Sequence, residues 1–221
     1  PADAAYFHYT TNNTIEGTEL RSLPNTSIPL VADMSSDIFS YETDFSRFSL
    51  IYAGAQKNMG AAGVNLVVVK KDILGKVNRK IPSMLDYQQH IANGSMLNTP
   101  PVFAVYVVLL TLRWLQANGG AAAMEKVNIQ KSDLLYDTLD SLPIFTPTIA
   151  KEDRSRMNAV FVINDPQKEE AFQAVCKQEG IVGVKGHRSV GGFRASLYNA
   201  LPLSHVQVLV DLMRDFAAKN G

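Results

Sequence analysis

The 221 residues carry 21 Lys and Arg against 21 Asp and Glu, so no bulk charge draws the chain to nucleic acid or to an anionic membrane, and any bound anion must be held by local placement. A single cysteine, Cys176, excludes an internal disulfide and fits a reducing, cytoplasmic setting. The longest apolar run, Val102 to Leu112, is shorter than the ~18 residues of a membrane span and reads as a buried helix.

In chain order, the β-prone aromatics of Ala4 to Thr10 predict a strand, and the polar turn Thr11-Asn12-Asn13 follows it. Thr14 lies just past that turn, where a hydroxyl often bonds its own backbone. Residues 29–32 read as a short strand ending on Asp33. Ligands of open parallel sheets bind beyond the carboxyl ends of strands, which makes Asp33 a candidate; a helix N-cap fits the same residue.

Strands are predicted at 49–53 and 64–69, joined by the small-residue loop Gly54-Ala55-Gln56-Lys57-Asn58-Met59-Gly60. Lys57 thus sits on a short loop between two core strands. A lysine kept from water or near other cations has a lowered pKa and becomes a usable amine nucleophile, the setting of a Schiff-base lysine; a solvated loop lysine is the plain alternative. A Walker A loop is excluded, because its lysine follows the last glycine and Lys57 precedes Gly60. Lys57 and Asp33 together suit pyridoxal phosphate, which needs a lysine for its aldehyde and a carboxylate for its ring nitrogen.

Lys70 to Val77 predicts a short helix and Asp86 to Ile91 another. Asn98-Thr99-Pro100-Pro101 reads as the start of a helix running to about Ala117, with Thr99 as cap, and Gly119 and Gly120 stop it. A helix start with spare amides is also an anion site, which makes Asn98 and Thr99 candidates for a phosphate, although a simple cap explains them as well. Ala121 to Leu142 has helical spacing and links to a small α+β unit: strands at 159–163, 181–184 and 193–198, helices at 167–179 and 204–219. Cys176 shares a helix face with Phe172 and Val175, which favours packing over catalysis. Lys185, His187 and Arg188, in a glycine-rich loop, and Arg194, on the next strand, suit a shared anion. No metal site is expected.

Five motifs in order, Asn13-Thr14-Ile15-Glu16-Gly17, Ala32-Asp33-Met34-Ser35-Ser36, Tyr52-Ala53-Gly54-Ala55-Gln56-Lys57-Asn58, Asn98-Thr99-Pro100-Pro101 and Gly186 to Ser196, resemble the phosphoserine aminotransferase family. The match covers essentially the whole chain but only the C-terminal part of the family's length, so the family's N-terminal segment falls outside it. The resemblance implies an α/β fold of the fold-type I pyridoxal-phosphate transferases. Residues 1–118 would belong to the large cofactor-binding domain, with a mostly parallel sheet, and 119–221 would form the small α+β domain. It implies amino transfer between glutamate and 3-phosphohydroxypyruvate in serine biosynthesis, and for some members action on a phosphorylated threonine precursor of pyridoxine. By the same resemblance Lys57 carries the cofactor, Asp33 faces its ring nitrogen, and Thr14 and Gln56 orient the ring. Asn98 and Thr99 reach it from the partner subunit of a homodimer. Arg194 takes the substrate α-carboxylate, and His187 with Arg188 takes its phosphate.

Two rivals remain open at this level. One is another class V transaminase with no phosphate requirement, against which the His187-Arg188 pair argues. The other is a catalytically silent fragment that lacks the family's N-terminal segment.

Overall fold

A computed structural model describes residues 3–221. The chain opens with strand β1 (Phe7–Thr10), the two-residue strands β2 (Asn12–Asn13) and β3 (Thr18–Glu19), and β4 (Leu30–Asp33), β5 (Leu50–Gly54) and β6 (Asn65–Val69). β1, β4, β5 and β6 form one sheet in that order; β1–β4 and β4–β5 are parallel and β5–β6 is antiparallel. The last pairing is antiparallel because residues 55–64 form a compact turn that brings the chain straight back along β5. The expected mostly parallel sheet is therefore present, with one reversed edge.

Alternation decides which side chains meet. Tyr9, Ala32 and Ile51 point into a core shared with Met34, Ile38, Phe48 and Met59. Thr10, Asp33 and Tyr52 stand in register at the carboxyl ends of the parallel strands, so Asp33 and Tyr52 emerge on the opposite face.

Helix α1 (Tyr87–Ala92) is capped by the Asp86 carboxylate. Helix α2 (Val102–Ala117) presses Val108 and Leu112 on the first core while Val102 and Phe103 are 70% and 77% exposed. Gly119, with φ of +89°, ends α2 and leads into α3 (Gly120–Ser141), which departs at 82°. Among the described residues no single helix is long and apolar enough to cross a membrane.

β7 (Phe145–Pro147), β8 (Asn158–Ile163) and β9 (Phe193–Ser196) form an antiparallel sheet covered by α3, α4 (Glu169–Gln178) and α5 (Leu203–Asn220). Its core is aromatic: Phe145, Phe161, Phe172, Phe193 and Phe216 meet at ring separations of 5.1 to 6.5 Å. Each such pair adds ~0.5–1.5 kcal/mol beyond burial. Cys176 lies in this core with its thiol pushed up to about 11 by burial, an inert packing residue.

Four expectations are corrected. The helix at 70–77 reduces to a single tight turn, Lys71–Ile73, since Gly75 takes φ of +71° and breaks it. Residues 181–184 are not a strand; Gly180 and Gly183 both have positive φ, and the segment reaches β9 only through the Arg194 amide on Val184 O, at 2.8 Å. Thr99 does not cap α2, whose first residue is Val102 and whose capping position is Pro101 with no side-chain bond. Two successive prolines explain this, because a residue preceding proline is forced out of the helical region. The run 102–112, expected as a buried helix, is helical but largely exposed, with Val102, Phe103, Val105, Tyr106, Leu109 and Leu110 on its open face.

Candidate active site

The Lys57 turn is pinned from several sides. The Gly54 amide donates to Ser35 Oγ at 3.1 Å and the Ala55 amide to Val64 O at 2.9 Å. The amides of Met59 and Gly60 both close on Ala55 O. Asn58 and Met59 are buried, so their neighbour Lys57 is held half-buried with little freedom to swing out.

Lys57 Nζ donates to Thr14 Oγ1 at 2.5 Å. Thr14 sits in the turn between β2 and β3, which only glycine can close at position 17. There φ is +80°, and an added Cβ would lie 2.7 Å from Asn158 O. On the far side of Thr14, Arg194 Nη1 donates to its carbonyl at 3.4 Å, and Arg194 Nε is buried with no protein partner among the described residues. Burial lowers the Lys57 pKa and the Arg194 charge lowers it further, while Asp33 and Asp37 oppose both. Asp33 Oδ1 accepts the Ser35 amide at 2.8 Å, which orients the carboxylate at the end of β4. The sequence candidates Lys57, Asp33, Thr14 and Arg194, from four separate segments, thus share one neighbourhood.

The other candidates are placed differently. Gln56 is exposed and folds over Gly54, where an added Cβ would meet its amide oxygen at 2.5 Å. His187 Nδ1 pairs with Ser189 Oγ at 2.7 Å inside its own turn, and Lys185 and Arg188 are exposed. No hydrogen bond joins these three to Lys57, Thr14 or Arg194 among the described residues. Asn98 lines a separate hollow with β6, Tyr87 and Pro101, and Thr99 is exposed beside it. The single chain does not bring Asn98 and Thr99 to Lys57. No group of His, Cys, Asp and Glu able to hold a metal is found among the described residues.

Sequence reading missed Tyr52, His8 and Asp37. Tyr52 Oη meets His8 Nε2 at 3.1 Å, and burial, with the Asp33 charge second, raises the Tyr52 pKa. Asp37 is buried, accepts the Thr11 hydroxyl at 2.6 Å, and is pushed up to about 7 chiefly by burial. The signal for Tyr52 was the strand pairing that sets it opposite Asp33; for Asp37 there was none, since Thr11, 26 residues upstream, supplies its short bond only once the chain has folded.

The profile of the family "Aminotransferase class-V" matches residues 2–209. The phosphoserine aminotransferase of Flavobacterium johnsoniae is 61% identical over 219 residues, covering 99% of this chain and 62% of that protein. That of Bacteroides thetaiotaomicron is 58% identical over 218 residues, covering 98% of this chain and 61% of that protein. Among solved structures, phosphoserine aminotransferase from Bacillus circulans superposes with a TM-score of 0.95 at 42% identity, over 99% of this chain and 61% of the other. The pyridoxal-phosphate-bound enzyme of Trichomonas vaginalis gives 0.91 at 41%, over 96% of this chain and 61% of the other. The chain spans about 62% of the length of the first of these relatives. With a profile match across nearly all of its residues and an α/β fold shared with these transferases, the chain belongs to the class-V aminotransferase family.

Proposed function

We propose that the chain is the C-terminal part of a phosphoserine aminotransferase, acting with pyridoxal phosphate on glutamate and 3-phosphohydroxypyruvate in serine biosynthesis. The observation that carries this reading is the meeting of Lys57 and Arg194 on the two ends of Thr14, beside Asp33. The residues fit the cofactor. A half-buried amine of lowered pKa, a carboxylate oriented at a strand end and an arginine with a buried, unpartnered Nε are the donor set that an aldehyde, a pyridine nitrogen and a substrate carboxylate require.

When bound, pyridoxal phosphate supplies the aldehyde that receives the amino group and a ring that withdraws electrons from the substrate Cα. Lys57 holds that aldehyde at rest, then carries the proton to and from Cα as general base and acid. Asp33 keeps the ring nitrogen protonated. Thr14, already bonded to Lys57, steadies the ring beside it with Gln56. Arg194 binds the α-carboxylate bidentately, and His187 and Arg188 take the substrate phosphate.

We assign residues 1–118 to the large domain and 119–221 to the small one. Asn98 and Thr99, remote from Lys57 within one chain, serve the site of the partner subunit of a homodimer. A cytoplasmic setting, and action on a phosphorylated threonine precursor in pyridoxine biosynthesis, belong to the same proposal. The exposed apolar face of α2 favours a second reading, in which these 221 residues alone do not form a complete catalytic unit.

Adding borohydride to the protein loaded with pyridoxal phosphate tests the main reading. Peptide mass should place the fixed cofactor on Lys57, and amino transfer from glutamate to 3-phosphohydroxypyruvate should be lost with it. Cofactor fixed elsewhere, or none fixed, would reject the assignment.

A further inference from the structure

Three consecutive carbonyls in the turn after β4 each accept a bond from a different asparagine. Ile38 O receives Asn58 Nδ2 at 3.1 Å, Phe39 O receives Asn199 Nδ2 at 3.0 Å, and Ser40 O receives Asn128 Nδ2 at 3.1 Å. The asparagines also bond one another: the Asn199 backbone N–H donates to Asn58 Oδ1 at 3.1 Å, and Asn128 Nδ2 to Asn199 Oδ1 at 2.9 Å. All three side chains are buried. The turn they hold is strained, since Phe39 has φ of +59°, a conformation that bulky residues adopt only when their surroundings over-determine it.

The three asparagines come from the Lys57 turn, from α3 and from the segment that leaves β9. Asn58 follows Lys57 directly. Asn199 lies five residues after Arg194, and the intervening backbone is fixed by the buried Lys131, whose Nζ donates to Leu197 O at 2.8 Å and Tyr198 O at 2.9 Å. A second buried seam runs parallel to the first. Asn12 Nδ2 donates to Ser36 Oγ at 2.8 Å and to Asn158 Oδ1 at 2.9 Å, and Asn158 Nδ2 to Tyr198 Oη at 3.2 Å. The segment bearing Arg194 is thereby tied to the turn bearing Lys57 through directional bonds.

We propose that Asn58, Asn199 and Asn128 are positioning residues, an amide ladder that sets the distance between Lys57 and Arg194 before substrate arrives. Arg194 then meets the carboxylate as a preset wall. The proposal rests on the reading of Lys57 and Arg194 above, and on nothing else about substrate identity. Cutting the ladder leaves Lys57 in place, because its own turn is closed by Gly54, Ala55 and Ser35, while Arg194, held by the pairing of β9 with β8, shifts together with that sheet relative to the Lys57 turn.

The test uses the cofactor-loaded holoenzyme with Asn58→Ala, which removes the acceptor of the Asn199 backbone amide, and Asn199→Ala as a second variant, which removes the bonds to Phe39 O and Asn128, should the first fail to fold. Glutamate and a primary amine without a carboxylate are compared as donors in the isolated half-reaction, followed by the cofactor absorbance. The expected result is a KM for glutamate raised at least about tenfold, as small misplacements of a binding group produce. kcat changes little, the amine reacts as with wild type, and borohydride still fixes the cofactor on Lys57. An unchanged KM for glutamate, or an equal loss for both donors, overturns the ladder as a device for Arg194. Failure of wild type to fix cofactor on Lys57 would instead reject the underlying site.

Discussion

Lys57 and Arg194 reach opposite atoms of one residue, the amine on Thr14 Oγ1 and the guanidinium on Thr14 O. Thr14 therefore links the Lys57 turn to the Arg194 strand through one residue, and the two side chains assigned above to cofactor and substrate carboxylate meet on it.

Replacing Lys57 by Ala should abolish cofactor fixation by borohydride and amino transfer while leaving the protein folded. The position lies in a turn whose backbone bonds do not involve its side chain. Normal turnover in this variant, measured with circular dichroism as the check on folding, would remove the central assignment.

Asp33→Ala should retain cofactor on Lys57 but lose several powers of ten in rate, since a carboxylate no longer holds the proton on the ring nitrogen. A rate falling by less than about tenfold, ~1.4 kcal/mol, would show that this carboxylate does not support the electron-withdrawing ring.

Arg188→Ala separates the substrates. Charge-assisted hydrogen bonds contribute ~1.5–3 kcal/mol, so the phosphorylated keto acid should lose roughly ten- to a hundredfold in affinity and glutamate almost nothing. Equal losses in steady-state kinetics would place Arg188 on the carboxylate both substrates share.

Asp37 imposes a pH dependence on stability. Its folded-state pKa is raised from 3.8 to about 7, so between these values the native state binds a proton that the unfolded chain has released. Stability contributed by that proton is present below pH 4, falls as pH rises through the window and is gone above about pH 7. Asp37→Asn, which keeps an acceptor for the Thr11 hydroxyl, should remove this decline and raise the melting temperature at pH 8 by a few degrees. A wild-type slope that persists in the variant would assign the decline to another group.

The exposed side chains of α2, Phe103 at 77% and Val102 at 70%, form an apolar face that water disfavours. The 221 residues expressed alone should self-associate and bind pyridoxal phosphate weakly. A monodisperse, yellow species in the ultracentrifuge would show instead that they form a complete unit.

What the sequence by itself determined is what local chemistry controls. Short apolar runs place β4 and β5, Gly54 and Gly60 bound the Lys57 turn, and Asp33 ends its strand, each a feature of a few neighbouring residues. The same local logic erred where long-range pairing or glycine dihedrals decide: residues 181–184 look β-prone but find no strand partner, and Gly75 stops a helix that composition favours. Only the tertiary structure set Arg194 on Thr14, 180 residues away, placed Tyr52 beside Asp33 through a parallel register, and joined Asn58, Asn199 and Asn128 around one strained turn. Hydrogen bonds between distant segments leave no periodicity in the chain, because the packing of the two cores decides which backbones face each other.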